Sequence, residues 1–139
     1  MREIKYRVLI DDQWVYGHPV KEPYLLYDQA RWYFYDDTHR RYRVENPETI
    51  GQYTGLKDKN GKEIYERDVL RSFHFQDNRN RKHYLRHIVK WSDSFHSWIC
   101  LSCDSMDEKD GSPQLFVYEK YGLEVVGNTH ENPELLEKT

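Results

Sequence analysis

Cysteine is scarce in this chain, and its scarcity excludes one class of small protein. Only two of the 139 residues are cysteine, Cys100 and Cys103. A small secreted domain held together by disulfides needs several bridges, so the chain does not belong to that class.

The spacing of the two cysteines is that of half a zinc site or of a redox pair. Residues 98–101 are typical of a strand, and no second Cys or His pair has zinc-finger spacing. We therefore predict a strand-end location, with no metal and no cofactor.

Long apolar segments are also missing. Hydrophobic residues make up 37% of the chain, and the charged N-terminal residues lead only into a short apolar run at positions 8–10. That run is shorter than the apolar region of a signal peptide, and no segment approaches the roughly 20 apolar residues of a membrane-spanning helix. We therefore expect a soluble, cytoplasmic protein that makes no contact with a membrane.

Aromatic residues compensate for the small number of aliphatic ones. They form 15% of the chain and include 12 tyrosines, and such rings are large enough to build a core. At this length folding buries roughly 65–70% of the unfolded surface. Both features argue against disorder, and we expect residues 1–139 to form a single domain.

The distribution of apolar residues favours strands over helices. No segment repeats them at the 3.6-residue period of a helix, whereas several short segments alternate them or concentrate aromatic and β-branched residues. Eight or nine strands are predicted, near residues 4–10, 14–20, 24–27, 32–35, 63–75, 84–91, 97–101, 115–118 and 123–126. Pro47 and Pro133, each following an asparagine, favour short helical turns. We predict a mainly β fold, a small antiparallel barrel-like sheet with one or two short helical turns, whose closure hides the strand edges.

A tight turn is predicted at residues 58–61, which read DKNG. Asp58, Asn60 and Gly61 are its structural residues, because Asn-Gly accepts the positive φ that such a connection requires. The run superficially resembles the start of a calcium loop. Val69, however, occupies the twelfth position, where a calcium loop carries Glu. Turn formation explains the run fully, so we predict no calcium site.

Charge is distributed unevenly along the chain. The net charge is -3, so no overall attraction to nucleic acid or to an anionic membrane is expected. Residues 71–90 nevertheless contain six Arg or Lys and one Asp, whereas residues 104–139 contain nine acidic residues and three lysines. The two segments carry opposite charge, and they either neutralise each other within one subunit or meet across a contact between subunits.

The basic segment contains the strongest candidates for a contact surface. These candidates are Arg79, Arg81, Lys82, Tyr84, Arg86 and Lys90. Positive side chains beside a ring suit a nucleic-acid groove, and they equally suit a protein partner, including a second copy of the chain. His83 and His87 are weaker candidates for metal binding, since four residues of strand place them about 13 Å apart.

No sequence motif indicates catalysis. The chain lacks a phosphate-binding glycine loop, a nucleophile elbow and an HExxH motif. We predict a protein that is not an enzyme and has no catalytic residue. An enzyme with an unrecognised site is kept as an alternative.

The chain resembles the YopX-like family of phage and prophage proteins. The resemblance rests on residues 1–7 (MREIKYR), 52–66 (QYTGLKDKNGKEIYE), 68–69 (DV), 89–91 (VKW), 124–128 (EVVGN) and 131–136 (ENPELL). It spans the whole chain and implies a small β-rich fold and a phage or prophage origin, but no particular reaction. The strands it brings together are expected to share one core, which contains Ile64, Val69, Val89, Trp91, Trp98 and Val125.

One position departs from the pattern of that family. Its members usually carry Gly between the acidic residue and Asp of the central block, where this chain has Arg67 between Glu66 and Asp68. The backbone at Arg67 must therefore be accessible to a residue with a side chain, or strain is tolerated there.

Taken as a sequence, the chain is expected to be a non-enzymatic interaction module that forms homo-oligomers. We expect a mass above that of a monomer, and an association that weakens with salt at exposed charge pairs while its aromatic centre resists. The first alternative is a nucleic-acid-binding barrel that uses residues 79–90, for which binding falls steeply with salt. The second is the enzyme with an unrecognised site.

Overall fold

The computed structural model describes residues 3–23, 30–103 and 122–136. These residues form ten strands and two short 3-10 helices, which we number in chain order. The strands are β1 (Tyr6–Ile10), β2 (Gln13–Pro23), β3 (Ala30–Asp36), β4 (Arg41–Arg43), β5 (Gly51–Lys57), β6 (Glu63–Tyr65), β7 (Asp68–Gln76), β8 (Lys82–Ser92), β9 (Ser97–Ser102) and β10 (Glu124–Asn128). The 3-10 helices are η1 (Pro47–Thr49) and η2 (Pro133–Leu136). The predicted strands at 24–27 and 115–118 lie outside the described residues.

The chain divides into two compact units, residues 1–53 (unit 1) and residues 54–139 (unit 2). Each unit is described by itself below. That the whole chain is a single domain stays a prediction. Within the described residues, no helix is long and apolar enough to cross a membrane.

Unit 1 is an antiparallel arrangement of neighbouring strands. β1 pairs with β2, β2 with β3, β3 with β4, and β1 also pairs with the start of β5. Asp11 and Asp12 connect β1 to β2, and both have positive φ, 50° and 63°, as a two-residue hairpin connection requires. The core of the unit is centred on Val8, Phe34 and Val44.

β2 is one continuous strand, although Gly17 and Pro19 lie within it. A side chain at position 17 would collide with the backbone oxygen of Tyr35 on β3. Because glycine has no Cβ, the two strands approach closely there. Neither Gly17 nor Pro19 interrupts the strand.

Unit 2 is built around the pairing of β7 with β8. β10 lies beside β7 and β9 lies beside β8, so the order is β10-β7-β8-β9, and the start of the unit pairs the end of β5 with β6. Neighbouring residues on a strand point to opposite faces, so Leu70 and Val69 belong to two different core clusters. The first core cluster contains Ile64, Leu70, Val89, Trp98, Cys100 and Leu123. The second core cluster contains Val69, Ile88 and Cys103.

The expected single core is therefore corrected in two respects. Ile64, Val89 and Trp98 are in the first core cluster and Val125 packs against it, as predicted. Val69 instead packs on the opposite face of the sheet. Trp91 is 36% exposed and contacts Trp98 by its edge, with ring centres 5.3 Å apart.

The mainly β, antiparallel fold with short helical turns is confirmed, but the barrel-like closure is not. The described strands form two open antiparallel sheets, each with two end strands, instead of one sheet closed on itself. A closed barrel needs its last strand to pair with its first, and neither strand order of the described residues returns on itself.

The chain turns at residues 58–61, and the turn is organised by Asp58. The backbone N–H of Gly61 donates to the Asp58 carbonyl at 3.0 Å, and Gly61 has φ +83°. The Asp58 carboxylate accepts hydrogen bonds from the backbone N–H of Asn60 (2.8 Å), Lys62 (2.9 Å) and Val125 (3.0 Å). Burial alone would raise the pKa of Asp58, but these three N–H donors hold it below its usual value. One side chain thus closes the turn and attaches it to β10.

Arg67 has φ +70°, in the left-handed region that favours glycine. Its N–H donates to the Val89 carbonyl at 2.9 Å, and its carbonyl accepts from the N–H of Thr129 at 3.0 Å. Hydrogen bonds on both sides hold the backbone in this conformation although the residue carries a side chain. The tolerated strain that the departure from the family pattern suggested is therefore present.

Arg67→Gly should stabilise the protein. A non-glycine residue in the left-handed region costs roughly 1–2 kcal/mol. Glycine removes this cost but loses more chain entropy on folding, so we expect a net gain of about 1 kcal/mol. Denaturant titration measures the free energy of unfolding. Arg79→Gly is the matched control, because Arg79 is exposed and is not among the residues with positive φ. It should leave stability unchanged or lower it, and an equal response of both variants would contradict the assigned strain.

The two neighbouring tryptophans should differ strongly in their effect on stability. Trp98 is 6% exposed, so Trp98→Ala should cost about 3–5 kcal/mol in the free energy of unfolding. Trp91→Ala should cost only about 1 kcal/mol, the value of an edge-to-face ring contact. Thermal and denaturant unfolding of the two variants gives the comparison, and a larger loss for Trp91→Ala would refute the assignment of the core.

Candidate functional site

The outer part of the β7–β8 hairpin carries the largest group of exposed apolar side chains in the described residues. We call residues 72–86 the arm. It begins beyond Arg71, the last residue of β7 that pairs with β10, and ends before His87, which pairs with β9. Within the described residues the arm is therefore a two-stranded hairpin.

Two ring pairs occupy opposite faces of the arm. Phe73 pairs with Tyr84, and after a bulge Phe75 pairs with His83. Tyr84 and His83 are neighbours on β8 and so point to opposite faces. Phe73 and Tyr84 meet edge to face with ring centres 6.2 Å apart, whereas Phe75 and His83 stack at 4.4 Å.

Four large side chains of the arm are exposed to an unusual degree. Phe73 is 52% exposed, Phe75 46%, Tyr84 43% and Leu85 39%. Single exposed apolar residues are common on protein surfaces, but a contiguous group marks an interaction site. The sequence reasoning named only Tyr84 of these four, although the alternation of Phe73 and Phe75 within a polar, charged strand was visible in the sequence.

The predicted basic residues lie in two different parts of the hairpin. Alternation along β8 puts Lys82, Tyr84, Arg86 and Lys90 on one face of the strand. Lys82 and Lys90 are exposed, Arg86 is half-buried, and Lys90 lies outside the arm. Arg79 and Arg81 are exposed residues of the loop that connects β7 to β8. The stretch thus forms a line on β8 and a separate basic loop.

Asp77 organises that loop. Its Oδ1 accepts from the backbone N–H of Arg79 (2.8 Å) and of Arg81 (3.0 Å), and its Oδ2 lies 2.9 Å from both the Arg81 Nε and the His83 Nε2. The hydrogen bond with His83 is the main cause that lowers the pKa of Asp77 to about 2. The charge of Arg81 is therefore partly neutralised by Asp77 within the loop. Among the described residues, the side chains of Arg79 and Lys82 have no acidic partner.

Arg71 fixes the base of the arm and was not among the predicted site residues. Its Nε donates to the Glu124 carboxylate at 2.8 Å, and its guanidinium lies 4.5 Å from the centre of the Tyr84 ring. A cation–π contact with Arg71 thus holds the Tyr84 ring against the sheet. Pairing of Arg71 with Glu124 across 53 positions could not be read from local sequence.

Ser72 and His87 form a buried polar pair. The Ser72 Oγ is 3.1 Å from the His87 Nε2, and each residue is 5% exposed. Burial lowers the pKa of His87, so its ring is neutral at pH 7. A hydroxyl beside a neutral imidazole is the arrangement of an activated nucleophile. At this depth, however, the pair acts as a satisfied core contact.

The two cysteines and the two histidines do not come together. Cys100 is in the first core cluster and Cys103 is in the second, on the other face of the sheet. Both are buried free thiols, and burial raises the pKa of Cys100 to about 12. His83 is exposed whereas His87 is buried. No group of three or more potential metal-ligating side chains occurs in the part of the chain that the structure describes.

Most of the acidic segment falls outside the described residues. Of residues 104–139, the structure describes only 122–136, where Glu124 binds Arg71. One contact between the basic and acidic segments therefore occurs within a single subunit. Neutralisation by residues 104–121 is not described.

Comparison with known proteins supports the fold and a family, but no reaction. The model of the YopX protein family matches residues 5–137. Protein EF1440 from Enterococcus faecalis, known from a crystal structure, is similar in fold, with a TM-score of 0.53 and 22% sequence identity over 99% of this chain and 100% of that chain. No curated protein matches the chain.

Acidification should destabilise the protein through His87. An unfolded histidine titrates near pH 6.5 and the folded pKa of His87 lies lower, so the folded state binds fewer protons. The stabilisation is complete above pH 6.5 and is lost as the pH falls towards the folded pKa. Denaturant titrations between about pH 7.5 and pH 5.5 should show a steeper loss for the wild type than for His87→Gln. His18→Gln, at an exposed position, is the control, and equal slopes for the wild type and His87→Gln would contradict the prediction.

Proposed function

The chain belongs to the YopX family, and we propose that it is a non-enzymatic interaction module that self-associates through the arm. The exposed rings on both faces of the arm carry this proposal. A phage or prophage origin and a cytoplasmic location are part of it. The free thiols of Cys100 and Cys103 fit a reducing compartment.

The energetics of the arm favour a protein contact. Fully burying a large apolar side chain contributes about 1.5–3 kcal/mol, so covering the four half-exposed side chains contributes roughly 1 kcal/mol each. Aromatic and arginine residues are enriched at the centres of protein interfaces. Phe73 and Tyr84 lie on the same face as Arg71 and Arg86, so this face has the composition of an interface centre.

The arm fits a second copy of the chain because its exposed rings can be covered by the same rings of another arm. A contact of one arm with another arm places the same residues on both sides of a twofold axis and closes after two copies. The cost of bringing the basic loops together is reduced by their exposure and by screening with salt. Such a contact therefore depends mainly on the rings.

Nucleic-acid binding is the second candidate, and a different observation favours it. Lys82 and Arg86 flank Tyr84 on one face of β8, at the spacing of alternate strand residues, roughly 7 Å. A base can stack on the Tyr84 ring while the cations contact the phosphates on either side. Only three residues of the arm contribute to this surface, and Phe75 and Leu85 have no role in it, so self-association accounts for more of what is exposed.

Self-association predicts a mass that rises with concentration. Sedimentation or light scattering of the wild type from low to high micromolar concentration should show a monomer and a dimer in exchange. The double variant Phe73→Ser/Phe75→Ser should stay monomeric, because both rings are already about half exposed and their loss leaves the core intact. Phe95→Ser is the matched control, since Phe95 is 38% exposed in the turn between β8 and β9 and should behave as the wild type.

The same proteins distinguish the second candidate. A labelled single-stranded oligonucleotide, titrated at low and moderate salt, should bind weakly or not at all if the arm joins two copies. Binding that falls steeply with salt and is lost in Lys82→Ala/Arg86→Ala, but not in Lys62→Ala, would favour nucleic acid instead. A wild type that is monomeric at every concentration would overturn self-association.

A further inference from the structure

Unit 2 contains a cleft that is separate from the rings of the arm. Its volume is about 570 Å³, within the range of pockets that hold small organic ligands. It lies between β8 and β9, the turn before β7 and the helix η2. The residues that determine its chemistry are Arg67, Ile88, Lys90, Trp91, Leu101 and Leu136.

The floor of the cleft is apolar. Ile88 and Leu101 are directly paired across β8 and β9 and are each 5% exposed. Leu136 from η2 packs against the cluster that contains Ile88. Trp91 also lines the cleft. An apolar group of a ligand can therefore be covered on several sides.

The rim of the cleft is charged and contains two cations. The hydrogen bond from Arg67 N–H to the Val89 carbonyl places Arg67 beside Lys90, the next residue of β8. Glu66 and Asp93 are also at the rim. The Asp93 Oδ1 accepts from the Trp91 Nε1 at 3.2 Å, and Glu66 and Lys90 each already have an interaction within the chain. The Asp93 carboxylate is therefore engaged by a neighbouring side chain of the rim.

Arg67 differs from the other charged residues of the rim. It is exposed, and among the described residues its guanidinium has no hydrogen-bond or ionic partner. It also occupies a left-handed backbone position, where most residues cost stability. Strain of this kind is typical of residues that contact a ligand, where it persists because the surroundings hold the backbone in place.

We propose that the cleft binds an organic carboxylate with an apolar body. The carboxylate pairs with the planar fork of Arg67, which matches two carboxylate oxygens. The apolar body lies on Ile88, Leu101 and Leu136. A free carboxylic acid and the C-terminal residue of a peptide both carry this chemistry, and neither needs the arm.

The test compares matched acids and amides. 4-Phenylbutyrate and the peptide acetyl-Gly-Gly-Leu with a free carboxyl group are the two probes, and 4-phenylbutyramide and the amidated peptide are their controls. Amide shifts of residues 67, 90 and 129 in two-dimensional NMR spectra report binding at the cleft. At least one acid should bind, and its amide should bind at least tenfold more weakly. Binding of phenylbutyrate assigns a free acid, and binding of the peptide alone assigns a chain terminus.

Substitution at Arg67 separates binding from folding. Arg67→Gly relieves the backbone strain, so this variant should stay folded while its affinity for the acid falls at least tenfold. Arg67→Lys should retain part of the affinity, and Arg79→Gly should bind as the wild type. Unchanged affinity in Arg67→Gly, equal binding of acid and amide, or no shift with either acid at millimolar concentration would overturn the proposal.

Discussion

Much of unit 2 depends on one buried carboxylate, that of Asp58. It accepts three backbone hydrogen bonds, from Asn60 and Lys62 within the turn and from Val125 on β10. Each charge-assisted bond contributes about 1.5–3 kcal/mol, and together they keep the group ionised in spite of its burial. Because Val125 is distant in sequence, this side chain converts a local turn into a contact that orders the edge of the sheet. The first core cluster, to which Val125 adds, is assembled beside it.

The same sheet presents two different surfaces because its central hairpin is longer than the strands beside it. Where β9 and β10 flank it, alternation separates Val69 from Leu70 and both faces are covered by apolar clusters. Beyond Arg71 the hairpin continues, and because of the bulge between Phe73 and Phe75 their exposed rings lie on opposite faces. The arm is therefore an extension of the core pattern into a region where the described chain supplies no cover. An interaction surface arises here without any special loop.

The unusual feature of the cleft is the backbone conformation of one residue at its rim, Arg67. Asp11 and Asp12, also with positive φ, lie in a hairpin connection and are residue types that accept it. Arg67 is neither a small nor a turn-forming residue, and its conformation is imposed by Val89 and Thr129 on either side. This conformation leaves a guanidinium at the edge of an apolar cleft.

The sequence by itself determined the strand-rich fold, the turn at Gly61 and the location of Cys100 near the end of a strand, because these depend on local periodicity and on the backbone preference of single residues. It did not determine whether the sheet closes or on which face of the sheet Val69 packs. Nor did it determine that Arg71 pairs with Glu124. Those features depend on register between strands far apart in the chain, and a one-residue shift reverses every side chain of a strand. Exposure of Phe73, like the neighbours of Arg67, was decided by where flanking strands end, which only the tertiary structure specifies.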